Sequence, residues 1–93
     1  KNSVFAFIRM AKDPNDCLVI AANFTPVPRE EYRVGVPRAA FYREILNTDA
    51  GIYGGGNVGN DGGVSSEPVK SHGRADSIVL TLPPLSMVIL KPE

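Results

Sequence analysis

The chain has 93 residues, ten Lys and Arg against ten Asp and Glu, and 43% apolar side chains. A chain this short forms one domain with a thin core, burying about 60–65% of its unfolded surface. Its positive charges are balanced and scattered, which excludes an electrostatic footprint for nucleic acid or an anionic membrane, and no stretch approaches the ~20 apolar residues of a membrane span.

Val4 to Met10 is aromatic and β-branched and too short for a stable helix, so it reads as a strand. Lys12-Asp13-Pro14-Asn15-Asp16 supplies turn formers. Leu18 to Phe24 is apolar on both faces, as a central strand is, and the two segments make a hairpin. Pro26 and Pro28 interrupt the ladder, because neither has an N–H to donate. Tyr32 to Val36 alternates apolar with polar or small residues and reads as a half-buried strand ended by Pro37. Phe41 to Asn47 suits either a short helix or a strand; the β-rich neighbourhood and Pro37 favour the strand.

Residues 51–63 hold seven glycines, and a regular element there would fix many free backbone angles, so a long surface loop is expected. Val64 to Val69 reads as a short edge strand, Ser71-His72-Gly73-Arg74 as a turn, and Ser77 to Leu82 as a strand. Pro83-Pro84 breaks it, Ser86 to Lys91 forms the last strand, and Pro92 closes the pattern. Six to eight short strands separated by turn signals predict an all-β fold, an antiparallel β-sandwich with Greek-key-like connections.

The residues that carry chemistry do not assemble into a recognisable site. Cys17 is the single cysteine and His72 the single histidine, so no intrachain disulfide forms and no multi-His or multi-Cys metal site is expected. Cys17 sits in an apolar run, consistent with an inert buried thiol and a reducing, cytoplasmic setting. Gly54 to Gly59 satisfies G-x-G-x-x-G, but Asn60-Asp61-Gly62-Gly63 does not open the helix that pyrophosphate binding requires. No cofactor is expected. Ser71, His72 and Asp76 are near one another in sequence, which does not make a triad. Glu30-Glu31 is the only adjacent carboxylate pair and reads as solvated in a Pro-flanked turn, not as a glycosidase pair. Asn23-Phe24-Thr25 matches a glycosylation sequon, relevant only after secretion. Tyr53 and Asn57, in the glycine-rich segment, are the candidate contacts: an aromatic face and an amide can meet a sugar ring or a partner surface.

Val19-Ile20-Ala21-Ala22-Asn23-Phe24-Thr25-Pro26-Val27-Pro28-Arg29 resembles a segment of bacterial glycogen branching enzymes, members of the α-amylase family. Tyr32 to Pro37, Glu44 to Gly55, Asn57 to Asn60, His72-Gly73-Arg74 and Leu80 to Leu85 continue the resemblance in the same order, from Ser3 to Pro92. In place of the aromatic residue that often precedes the His-Gly-Arg turn, this chain has Ser71, which weakens that turn as a sugar platform.

The resemblance implies that residues 1–93 are the single C-terminal β-sandwich domain of a larger enzyme whose catalytic (β/α)₈ barrel lies elsewhere in the chain. The lack of an initiator Met and the immediate entry into a strand fit an internal start. The family cleaves an α-1,4-glucan and transfers the released segment to a 6-hydroxyl, forming an α-1,6 branch through a covalent glycosyl-enzyme intermediate. Its nucleophile and acid/base lie in the barrel and have no matching positions here, so no catalytic residue is expected. The expected partner is the barrel, against which the domain would bury an apolar face; α-glucan or glycogen is the second candidate. The C-terminal domain of another α-amylase-family enzyme, trehalose-forming or debranching, is the alternative identity.

Overall fold

In a computed structural model the described residues are 4–13, 16–48, 60 and 62–93. They form seven strands: β1 (Val4–Met10), β2 (Cys17–Asn23), β3 (Arg29–Val36), β4 (Phe41–Asn47), β5 (Gly63–Ser65), β6 (Asp76–Leu82) and β7 (Ser86–Pro92). All pairings are antiparallel. One sheet has the order β1-β2-β7-β4-β5 and the other pairs β3 with β6. The chain changes sheet after β2, β3, β5 and β6, a Greek-key-like winding that agrees with the expected sandwich.

Alternation along each strand builds the core. Val4, Val19, Ala21, Tyr42, Val88 and Leu90 of the larger sheet meet Val34, Val36, Ile78, Leu80 and Leu82 of the smaller. Tyr42 is fully buried, and its hydroxyl donates to the Arg38 carbonyl at 2.7 Å. This bond back to the chain just upstream is the tyrosine-corner device that pins a connection between sheets. Burial pushes the Tyr42 phenol above its ordinary value, against the opposing effect of that hydrogen bond.

Several strand boundaries differ from the sequence reading, and three of the differences have a clear local reason. The third strand starts at Arg29 and absorbs Glu30 and Glu31 at a register shift between Arg29 and Tyr32, where Glu31 has φ 57°. This β-bulge leaves both carboxylates exposed, as expected, but in a strand and not a turn. The fifth strand ends at Ser65, because the chain then leaves the larger sheet and Glu67 bridges to Ser77 beside the smaller one. The last strand runs through Pro92, which lies opposite Tyr42 near the strand's end. The segment read as a helix or a strand is β4.

The Ser71–Arg74 turn is a two-residue hairpin with backbone bonds in both directions, 3.0 and 2.9 Å. His72 and Gly73 both have positive φ, 52° and 77°, the geometry of a type I′ turn, and Gly73 adopts it without a Cβ penalty. The turn lies over Gly35 of β3, where a Cβ would run into the Ser71 carbonyl oxygen.

Candidate functional site: an apolar outer face

The larger sheet presents one face to the core and one outward. An antiparallel sheet that faces water on one side normally alternates apolar-in with polar-out. Here the outward side departs from that rule. The register places Phe5, Ala22 and Met87 in one cross-strand row and Phe7, Ile20, Ile89 and Leu46 in the next. Phe5 and Phe7 stack with ring centroids 6.4 Å apart, and Phe24, just past the end of β2, meets Phe5 edge-on at 5.6 Å. Phe5, Phe7 and Phe24 remain 44%, 51% and 56% exposed. Arg9, Lys91 and Arg43 border the patch at its other end, where Lys91 meets Asp16 at 3.7 Å and Arg43 meets Glu93 at 3.4 Å. An apolar centre with a charged margin is the anatomy of an interaction surface.

Why this face forms is visible in β1 itself. In Val-Phe-Ala-Phe-Ile-Arg-Met both parities are apolar, so Val4, Ala6 and Ile8 turn to the core while Phe5 and Phe7 stay outside. The sequence reading expected an apolar face toward the rest of an enzyme but did not single out these residues. The available signal was two phenylalanines sharing a parity with charged Arg9 in a strand whose other parity already supplied the core.

The chemical candidates are placed as follows. Tyr53 and Asn57 lie outside the described residues, as does the G-x-G-x-x-G run. His72 Nδ1 accepts the Gly35 N–H at 3.4 Å, and no hydrogen bond joins the side chains of Ser71, His72 and Asp76. Among the described residues no group of three or more His, Cys, Asp and Glu is placed to hold a metal ion. Cys17 is buried, and burial, the largest influence, pushes its thiol above the ordinary value despite the nearby Arg38. A raised thiol pKa opposes a nucleophilic role. An open cleft of about 370 Å³ is lined by Arg9, Asp16, Cys17, Leu18 and Lys91, and Lys91 meets Asp16 across it at 3.7 Å.

Asn23, the sequon residue, is fully buried and is a structural centre. Its Nδ2 donates to the carbonyls of Val27 (2.8 Å) and Leu82 (3.3 Å), while Oδ1 accepts from the Thr25 N–H (3.0 Å) and hydroxyl (2.6 Å). This network holds the Asn-Phe-Thr-Pro-Val turn together and ties it to β6 in the other sheet; a buried, fully bonded amide cannot receive a glycan in the folded chain. Asn60 plays a similar part between β4 and β6: its Nδ2 donates to Glu44 Oε2 (2.9 Å) and the Thr81 carbonyl (3.1 Å), and its Oδ1 accepts the Thr81 N–H (2.7 Å). Among the described residues no helix is long and apolar enough to cross a membrane.

Comparison with known proteins agrees with this fold. The family model described as "Alpha amylase, C-terminal all-beta domain" matches residues 1–93. The chain is 58% identical over 92 residues to the 1,4-alpha-glucan branching enzyme GlgB of Pseudomonas fluorescens, covering 99% of this chain and 12% of that protein. It is 54% identical over 87 residues to GlgB of Burkholderia thailandensis, 94% of this chain and 10% of the relative. With GlgB of Aromatoleum aromaticum it shares 53% over 93 residues, all of this chain and 14% of the relative. The chain thus spans a small fraction, 10–14%, of the length of these curated relatives. It belongs to the alpha-amylase C-terminal all-beta domain family.

Proposed function

We propose that this chain is the non-catalytic C-terminal domain of a longer 1,4-alpha-glucan branching enzyme. That cytoplasmic glycosyltransferase would move an α-1,4-glucan segment to form α-1,6 branches in glycogen, with the bond chemistry carried out in its barrel. The domain's own role is structural: it packs on the catalytic (β/α)₈ barrel and stabilises it. The observation that carries this reading is the apolar outer face of β1, β2 and β7, with Phe5 and Phe7 exposed on the edge strand β1, because a sheet face left to water normally carries polar side chains. Glucan contact by Tyr53 and Asn57 is a secondary part of the proposal.

Removing residues 1–93 from the full-length enzyme tests the reading. The half-life of branching activity at a fixed elevated temperature should fall at least about tenfold, the rate change that corresponds to about 1.4 kcal/mol of lost interface energy. An unchanged activity and half-life would contradict it.

A further inference from the structure

We infer that Leu85, with Phe24 beside it, is an anchor that seats this domain in an uncharged, apolar recess on the remainder of the longer chain. The inference rests on the structural reading above and adds where the contact is centred and what the partner surface is made of. Leu85 lies in the turn between β6 and β7 and is 68% exposed, the highest value among the exposed large hydrophobic residues described. It also has φ 52°, the left-handed region in which an L side chain crowds its own backbone and glycine or asparagine would be favoured. For the domain by itself this residue is unfavourable twice, through its backbone and through its contact with water. Strain held at an exposed position points to a contact made elsewhere.

The position is rigidly built. The Leu85 N–H donates to the Thr25 carbonyl at 3.0 Å, and the Ser86 hydroxyl closes the turn on the Pro83 carbonyl at 2.8 Å. An anchor held in place before docking loses little freedom on binding. The surface is also continuous with the outer face: Ser86 pairs with Asn23 next to the row of Met87 and Ala22, and Phe24 meets Phe5 edge-on. Val27, 55% exposed, lies on the same Thr25-linked turn. From Phe24 to Pro28 and from Pro83 to Leu85 there is no charged side chain, so the complementary surface is apolar and neither anionic nor sugar-like. The occupant is the rest of the same chain, because relatives that match 99% of this sequence carry it as only 12–13% of their length.

The test is thiol labelling of the full-length enzyme. Its other accessible cysteines are replaced, and Leu85→Cys, Phe24→Cys and Phe7→Cys are made singly in variants that retain branching activity. Maleimide labelling rates of the native protein are compared with those of the same variant unfolded in guanidinium chloride. Buried Cys17 stays in place, and its slow labelling reports that the domain is folded. The expected result is protection of all three new thiols by at least about tenfold. Protection at position 7 with labelling at the unfolded rate at 85 and 24 overturns the anchor while leaving the structural reading intact. Labelling at the unfolded rate at all three positions overturns both.

Discussion

Asn23→Asp will destabilise the chain by about 3–5 kcal/mol at neutral pH, the order of magnitude for a buried charge with no opposite charge beside it. The substitution changes almost no volume. It keeps the oxygen that accepts from Thr25 and replaces the Nδ2 donor, which now bonds the Val27 and Leu82 carbonyls, by an oxygen facing both of them. Two carbonyl oxygens lose their donor, and a carboxylate is held against them away from water. Burial and the facing oxygens will raise the folded carboxyl pKa above its unfolded value of about 3.9. A raised folded pKa makes the protonated form the tolerated one. The loss is therefore smallest below about pH 3.9 and grows as pH rises through the folded pKa. Urea unfolding of the wild type and the variant at pH 7 and at pH 4 measures both the size and the sign. A loss below about 1 kcal/mol at pH 7, or one independent of pH, would show that the network does not stabilise the fold.

Gly35→Ala will cost about 3 kcal/mol, at the upper end for forcing extra atoms into a packed site. The added methyl runs into the Ser71 carbonyl oxygen and lies 3.3 Å from Arg74 Cβ. Backbone, not a flexible side-chain tip, is in the way. Relief would require the Ser71–Arg74 hairpin to lift away from β3, breaking the approach of the Gly35 N–H to His72. Gly73 makes the comparison: nothing lies within 4 Å of its would-be Cβ, and only its φ of 77° penalises a side chain. Gly73→Ala should cost about 1 kcal/mol. Equal losses in the two variants, read from chemical denaturation, would contradict the close approach at Gly35.

The fold was legible because the strands are short and punctuated. Val4–Met10 and Phe41–Asn47 have the bounds read from pattern, and β2 lies between two neighbours, as its two apolar faces require. The bulge at Glu30-Glu31 was not legible, since two charged residues after a proline look the same in a turn and in an exposed irregular strand. The role of Asn23 was hidden for a different reason: its bond to Leu82 spans 59 positions, and no local signal reports such a partner. The outer face was half legible. The doubled apolar parity of β1 and β2 was visible, but in a two-sided strand only the sheet order decides which parity meets the core. Tyr53 and Asn57 lie outside the described residues, so their proposed glucan contact rests on residue type and on resemblance.

If this domain supports the rest of a longer enzyme, as proposed, the outer face of its larger sheet is covered there. Calorimetry of full-length enzyme carrying Phe5→Asp and Phe7→Asp addresses it, because both side chains point away from this domain's own core. The unfolding temperature of the catalytic part should fall by several degrees, as loss of a supporting interface requires. An unfolding profile identical to that of the wild-type enzyme would contradict it.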